Sequence, residues 1–290
     1  MSDGTQSAIP TDRRLLAANG RVAADALKGE VAADRFVAGQ VRRVGVPVAD
    51  LLRDPGGTRD RQLLMGARIT LFETRDGWAF VQADADGYVG YVAEDALVAD
   101  HPVTHRVAAR ATHLYEAPSI KAPERATLSL GTIVAVSGAD GAFARTEAGY
   151  IPSVHLEAID TVHADPVAVA ERLLGTPYLW GGNSAQGIDC SGLVQIGCHF
   201  AGLDCPGDSD LQEAAFAPFR TQDAPRRGDI LFWRGHVAWV SAPDTILHAN
   251  AHHMAVAYEG LDAAVARIAA QGDGSVTSHV RLQLEVSHDP

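Results

Sequence analysis

The feature that most constrains the fold is an imperfect internal repeat of about 60 residues in the first half of the chain. The matching stretches are Gln62–Gly66 with Thr127–Gly131, Ile69–Phe72 with Ile133–Val136, and Gly90–Ala93 with Gly149–Pro152. Each copy consists of short β-rich runs separated by Gly, Asp and Pro, a pattern typical of small antiparallel barrels. We therefore expect two small all-β barrels, at residues 45–100 and 101–160.

The sequence pattern changes at Asp165-Pro166, where an N-cap residue precedes a proline suited to the first helical position. These signals, with Gly175 as the stop, predict a short helix. A second helix is expected from about Cys190, followed by alternating runs at 230–233, 236–240 and 245–248. Helices that lead into antiparallel strands predict an α+β domain over residues 161–290.

Composition and the N-terminal sequence argue against some partners and some cellular locations. The 290 residues carry a net charge of −12 and no cluster of Lys and Arg, so we expect no nucleic acid and no membrane as partner. The N-terminus shows no basic stretch leading into an apolar one, and no apolar run approaches the roughly 18 residues of a membrane span. We expect a cytoplasmic protein. Residues 1–44, with a possible helix near 22–27, have no predicted role, and the sequence leaves the oligomeric state open.

The cysteines point to thiol chemistry. Three cysteines are too few for a disulfide framework, and their odd number favours free thiols. Asp189 is a plausible N-cap for a helix over 193–201, which places Cys190 in the first turn. Backbone N–H groups there favour a thiolate and could bind an oxyanion. Taken alone, a cysteine at such a position is more often a small buried residue, as we expect for Cys198 and Cys205.

Two histidines make a catalytic role for Cys190 the favoured interpretation. A hairpin that pairs Val240 with Asp244 would place His236 directly opposite His248 on one face of the sheet. Two neighbouring imidazoles suit a base and the group that orients it. A metal site formed by His248, His252 and Asp244 is the alternative, but ligands four residues apart favour a helix and His248 ends a strand. No metal and no cofactor is expected.

Five motifs then make a family recognisable. They are Thr176–Gly182, Asp189–Gly192, Arg227–Trp233, Gly235–Val240 and Leu247–Asn250. Together they resemble the NlpC-type family of bacterial cell-wall cysteine peptidases, which have a papain-like core, over residues 165–290. The resemblance implies that Cys190 is the nucleophile, His236 the general base and His248 the third, polar member. It also implies that the Tyr178 hydroxyl lies near the thiolate and helps to hold the oxyanion.

The upstream repeats resemble bacterial SH3-like domains. Together with the catalytic domain they resemble the cytoplasmic γ-D-glutamyl-L-diamino acid endopeptidases, which recycle muropeptides with a free N-terminal L-Ala. The resemblance implies a muropeptide substrate, with diaminopimelate and lysine both open. The implied substrate-binding residues are Asp208, Ser209, Ser191, Tyr88, Asp60 and Trp180. Gly207 stands where this resemblance predicts an arginine that contacts a substrate carboxylate.

Structural roles are the alternative for several of these residues. Ser209 and Gln212 fit a capping box, Tyr88 could be a strand aromatic, and Asp60 could be a solvated loop charge. Tyr178 and Trp180 could pack in the core. For the whole chain, the alternatives to an endopeptidase are a papain-like acyltransferase or amidase, and a non-catalytic muropeptide-binding protein.

Overall fold

The structure is a computed structural model that describes residues 12–283. The first part of the chain is almost entirely β. Its strands are β1 (Val22–Ala24), β2 (Arg35–Val37), β3 (Gln40–Val44), β4 (Val48–Leu52), β5 (Arg59–Leu64), β6 (Arg68–Arg75), β7 (Trp78–Ala83), β8 (Val89–Ala93) and β9 (Leu97–Ala99). Strands β3 to β9 form one antiparallel sheet in the order β5-β4-β8-β7-β6-β3-β9.

The N-terminal segment packs on this first sheet. Ala17, Val22 and Leu27 are buried against Phe72 and Phe80 of the sheet. The helix considered possible near 22–27 does not form, because β1 pairs in parallel with β2 and a single 3₁₀ turn follows. Alanine favours a helix, but strand pairing and burial override that weak preference.

The second repeat forms two smaller sheets. Its strands are β10 (His105–Val107), β11 (Ala111–Tyr115), β12 (Glu124–Ser129), β13 (Ile133–Val134), β14 (Gly138–Asp140), β15 (Phe143–Arg145), β16 (Tyr150–Pro152) and β17 (Leu156–Ala158). Their orders are β13-β10-β17 and β12-β11-β16-β15-β14. No sheet closes on itself in residues 12–283, so the two predicted barrels are not confirmed. The repeat itself is visible in Gly66 and Gly131, which hold equivalent turns with φ of 83° and 87°.

The C-terminal part is an α+β domain, as predicted. Its elements are α1 (Pro166–Glu171), β18 (Asn183–Ser184), β19 (Gly187–Ile188), α2 (Cys190–Phe200), α3 (Ser209–Ala215), β20 (Asp229–Trp233), β21 (His236–Ala242), β22 (Thr245–Asn250), β23 (Ala255–Gly260), α4 (Leu261–Gln271) and β24 (Ser278–Arg281). The main sheet is antiparallel, in the order β23-β22-β21-β20-β24. Helix α2 packs on it, with Leu193, Val194 and Cys198 buried against Trp239 and Leu247. Within the described residues, no helix is long and apolar enough to cross a membrane.

Local sequence signals set the helix starts. Asp165 accepts hydrogen bonds from the backbone N–H groups of Val167 and Ala168, and Asp189 accepts one from Gly192. Both predicted N-caps are therefore confirmed. The capping box predicted at Ser209 is wrong, because α3 begins at that residue and Asp208 takes the N-cap position without any side-chain cap.

The register of the β21–β22 hairpin differs from the prediction by two residues. Val240 pairs with Ile246 instead of Asp244, and a bulge follows between Val240 and Ala242. His236 is therefore a diagonal neighbour of His248 and not its direct partner. Because side chains alternate with a period of two along a strand, an even shift keeps both imidazoles on the same face.

A buried arginine joins the first sheet to the C-terminal domain. Arg61 of β5 donates hydrogen bonds to Asp86 and to Gln195 of α2, and Gln195 donates to Asp86 at 2.8 Å. The guanidinium also lies over the Tyr88 ring, 5.2 Å from its centroid. Arg61, Asp86 and Gln195 are all buried, so each depends on the others for charge or hydrogen bonds.

We expect Arg61→Met to lower the free energy of unfolding by about 3–5 kcal/mol, because Asp86 would stay buried without its counter-charge. Denaturant-induced unfolding measures this loss. The matched control is Arg53→Ala. Among the described residues the Arg53 side chain pairs only with Asp54, and both are exposed, so this substitution should cost under about 1 kcal/mol. Equal losses in the two variants would contradict the account.

Candidate active site

Cys190 is the first residue of α2 and is buried. The carboxylate of Asp189 holds the turn around it, accepting hydrogen bonds from Gly192 N at 2.8 Å, Ser191 Oγ at 2.9 Å and Gly181 N at 2.9 Å. Burial raises the pKa of Asp189 even with these bonds. The turn at 181–182 and the start of α2 are thus fixed to one carboxylate beside the thiol.

The sulfur is a thiol at rest. Burial, followed by the negative charge of Asp189, raises the pKa of Cys190 to about 12. The backbone N–H groups of Val237, Ser191 and Cys190 act in the opposite direction but do not outweigh burial. The thiolate expected from the helix N-terminus is therefore not the resting state. These N–H groups still surround the position where negative charge develops when the sulfur reacts.

A chain of hydrogen bonds runs inward from the neighbouring strand. His236 Nε2 lies 2.9 Å from His248 Nδ1, and His248 Nε2 lies 3.0 Å from Glu259 Oε2. Arg267 of α4 closes the chain with bonds of 2.9 and 2.7 Å to the two oxygens of Glu259. Hydrogen bonding to Arg267 keeps the pKa of Glu259 below its usual range, so Glu259 is an ionised acceptor.

This chain sets the tautomers of both imidazoles. An ionised carboxylate only accepts, so His248 Nε2 carries the proton and Nδ1 accepts from His236 Nε2. His236 Nδ1 is then left with a lone pair. Burial and the Arg267 charge lower the pKa of His236 to about 4, while burial and the His236 charge lower that of His248 to about 3. Both rings are neutral at pH 7, and His236 Nδ1 can accept a proton.

Glu259 and Arg267 are site residues that no sequence motif indicated. Glu259 follows His248 by eleven residues and lies on β23, which pairs with β22. An acid in the strand after the second histidine was the available signal. His248, His253 and Glu259 also bring possible metal-ligand atoms within 4.8 Å of one another. Arg267 occupies both oxygens of Glu259, and this positive charge opposes a metal ion there.

An open cleft of about 410 Å³ lies in front of Cys190, between the first sheet and the C-terminal domain. It brings together eight of the residues predicted from the sequence, namely Asp60, Tyr88, Tyr178, Trp180, Cys190, Ser191, Asp208 and Ser209. Gly235 also lines it, next to His236. His248 is fully buried behind His236 and does not reach the cleft surface.

Asp208 links the two sides of the cleft. Its Oδ2 accepts a hydrogen bond of 2.9 Å from the Tyr88 hydroxyl and one of 2.7 Å from Arg14. Tyr88 is buried, so it is more than a half-buried strand aromatic. Asp208 has a φ of 54°, a strained value for a residue with a side chain, and its carboxylate does not cap α3. The carboxylate is directed to the cleft instead.

Asp60 is not a solvated loop charge. It lies in β5 and accepts two hydrogen bonds from Arg13, at 2.7 and 3.0 Å. Its side chain is 13% exposed, compared with 44% for Arg13. Arg13 and Arg14 come from the segment to which the sequence analysis gave no role, and both line the cleft.

The remaining predicted residues differ in whether their side chains are available to a substrate. The Ser191 hydroxyl already donates to Asp189, whereas Trp180 lies at the cleft with 71% of its surface exposed and is not a core residue. Tyr178 is half-buried, and burial raises the pKa of its hydroxyl. That hydroxyl therefore keeps its proton at ordinary pH and can act as a donor in the cleft that Cys190 also lines.

Two stretches of the chain match known protein families. Residues 51–97 match the bacterial dipeptidyl-peptidase SH3 domain, and residues 175–267 match the NlpC/P60 family. An NlpC/P60 family protein from Bacillus cereus has the same fold, with a TM-score of 0.71 over 84% of this chain and 100% of that one, at 19% identity. The papain-like fold expected from the motifs is confirmed by this likeness.

Two curated relatives agree with these matches. The chain is 27% identical to dipeptidyl-peptidase 6 of Lysinibacillus sphaericus, over 65% of this chain and 79% of the relative. It is 32% identical to a probable endopeptidase of Corynebacterium glutamicum over 29% of this chain, and it spans only 41% of that relative. The chain carries an NlpC/P60 domain, the catalytic domain of a family of cell-wall cysteine peptidases, behind a bacterial dipeptidyl-peptidase SH3 domain.

Proposed function

We propose that the protein hydrolyses the γ-D-glutamyl–diamino acid bond of short muropeptides that have a free N-terminal L-Ala. The observation that carries this proposal is the bond from the Tyr88 hydroxyl to Asp208, which places a carboxylate from the two-domain junction in the cleft of Cys190. A carboxylate and a hydroxyl suit a substrate ammonium group. The relative named dipeptidyl-peptidase 6 supports release of a dipeptide, which here would be L-Ala-γ-D-Glu.

The chemistry follows from the neutral thiol and imidazole. As Cys190 Sγ attacks the γ-carbonyl carbon, its proton moves to His236 Nδ1. The N–H groups of Cys190 and Ser191 stabilise the oxyanion, with the Tyr178 hydroxyl as a further donor. His236 then protonates the leaving amine as the C–N bond breaks. Water then attacks the thioester and gives a proton to His236, which returns it to the sulfur as the C–S bond breaks, releasing the dipeptide and restoring the thiol.

The cleft favours short peptides over polymeric cell wall. The first sheet and the N-terminal segment supply Asp60, Tyr88, Arg13 and Arg14 to its lining, so the cleft is bounded on the side of the substrate amine. A free amine is a feature of trimmed peptides, which is why we propose a role in peptidoglycan recycling. A cytoplasmic location belongs to that proposal and stays a prediction.

N-acetylation of L-Ala-γ-D-Glu-diaminopimelate should lower kcat/KM by about 10- to 100-fold, because it removes charge-assisted hydrogen bonds to Asp208. Asp208→Asn should lower kcat/KM for the free-amine peptide by a similar factor and lessen the discrimination. Product analysis by mass spectrometry gives the rates and the bond cleaved. Equal rates on both peptides would contradict amine recognition, and unchanged cleavage by Cys190→Ala would contradict the nucleophile.

Glu259→Gln should lower kcat/KM by about 10²- to 10⁴-fold without loss of folding. The amide can donate to His248 Nε2, which would reverse both tautomers and leave a proton on His236 Nδ1. The control is Glu171→Gln, which removes a charge paired with Arg227 in the same domain but far along the chain from the histidines. Activity of Glu259→Gln within twofold of the parent would show that Glu259 does not set the tautomer.

The pH profile of kcat/KM should keep its plateau from pH 7 down to about pH 5 and fall only near the pKa of about 4 of His236. The direction of this pH dependence follows from burial, which disfavours the charged imidazole. Activity is therefore present above the lowered pKa of His236 and is lost as the pH falls through it. Steady-state rates across pH 3.5–8 test this. Half-loss near 6.5, the value of an ordinary histidine, would refute it.

A further inference from the structure

The N-terminal segment is part of the wall of the cleft. Beyond Leu16 it is anchored in the apolar cluster on the first sheet, and the Arg14 carbonyl accepts a hydrogen bond of 2.6 Å from Val89 N of β8. Arg13 and Arg14 directly precede that anchor. Their guanidinium groups therefore have a defined place in the cleft beside Cys190.

Arg14 has no donor left for a substrate. Its Nε and Nη2 donate to Asp12, its Nη1 donates to Asp208 at 2.7 Å, and Nη1 and Nη2 donate to the two oxygens of Asp210 at 2.9 and 2.5 Å. These bonds use every N–H of the guanidinium. Arg14 therefore holds Asp208 and Asp210 in position and fixes the segment that carries Arg13.

The guanidinium of Arg13 has N–H groups that can donate to a substrate. One N–H of each terminal nitrogen donates to Asp60, and toward the described residues Arg13 makes no other side-chain hydrogen bond. Such an end-on pair leaves Nε–H and the outer N–H groups directed sideways, which is the geometry for a second carboxylate. At 44% exposure, the side chain is accessible from the cleft.

The Arg13–Asp60 pair and the reacting sulfur line the same cleft. A Cβ added to Gly181 would be 2.6 Å from the backbone oxygen of Asp60, so these two stretches touch. Gly181 N in turn donates to Asp189, the residue before Cys190. Among the described residues that line the cleft, the cations are Arg13 and Arg14, and the acids are Asp60, Asp189, Asp208 and Asp210.

We propose that Arg13 is a specificity-determining residue that binds the α-carboxylate of the γ-D-glutamyl residue. This inference rests on the proposed function, in which the scissile carbonyl is the γ-carbonyl of D-Glu. A glutamyl residue that is linked through its γ-carbonyl keeps its α-carboxylate free. In the substrate the ammonium and this carboxylate belong to consecutive residues. In the protein, Arg13 is likewise next in sequence to Arg14, which holds Asp208, the residue proposed to bind the ammonium.

The test compares two peptides in the full-length enzyme. One is L-Ala-γ-D-Glu-diaminopimelate, and the other is the same peptide with the glutamyl α-carboxylate amidated. We expect the wild type to prefer the carboxylate by about tenfold or more in kcat/KM. In Arg13→Ala, KM for the carboxylate peptide should rise about tenfold while kcat stays within about twofold, so that the preference disappears. Arg13→Lys keeps the positive charge but cannot form a bidentate pair with a carboxylate, so its preference for the carboxylate peptide should lie between those of the wild type and Arg13→Ala.

Arg21→Ala is the matched control. Arg21 lies in the same segment but pairs with Glu73 at 2.8 Å, and it should keep the wild-type preference. If Arg13→Ala also keeps the wild-type preference, the inference is wrong. It is equally wrong if Arg13→Ala lowers KM, because Arg13 would then compete with the substrate for Asp60. Failure of the wild type to cleave either peptide at the glutamyl bond would instead contradict the proposed function.

Discussion

The site depends on the buried contact between Arg61, Asp86 and Gln195. Arg61 comes from the first sheet and Gln195 from the helix that begins with Cys190, so this contact fixes the sheet to the start of the nucleophile helix. Arg61 also supports the ring of Tyr88, whose hydroxyl bonds Asp208. A buried charge without a partner is costly, so the junction is held in one arrangement. The cleft is a product of that arrangement and not of either domain alone.

The parts of the site that could be predicted from sequence depend on short-range rules. Asp189 caps α2 because a carboxylate before a helix satisfies its free N–H groups, and this alone places Cys190. The histidine pair was predicted on one face because strand side chains alternate. That conclusion survived a register error of two residues, since only an odd error would have turned His248 away.

The parts that could not be predicted come from long-range contacts and burial. Glu259 and Arg267 act on His248 through strand pairing and the packing of α4, and Arg13 and Arg14 reach the cleft from far along the chain. A helix start favours a thiolate in any sequence, but the depth of burial that reverses this for Cys190 exists only in the folded chain. Likewise, the capping box at Ser209 failed because α3 begins at Ser209 itself, and the carboxylate of the N-cap residue Asp208 bonds Tyr88 and Arg14 instead of the helix.

A crystal structure of the Cys190→Ala variant with L-Ala-γ-D-Glu-diaminopimelate bound would show directly whether the junction of the two domains binds the substrate amine. We expect the L-Ala ammonium to lie within hydrogen-bonding distance of Asp208 and the Tyr88 hydroxyl, with the γ-carbonyl carbon above residue 190 and the diamino acid directed away from the first sheet. A peptide bound in the reverse direction, or an ammonium in solvent away from Asp208, would contradict this binding mode.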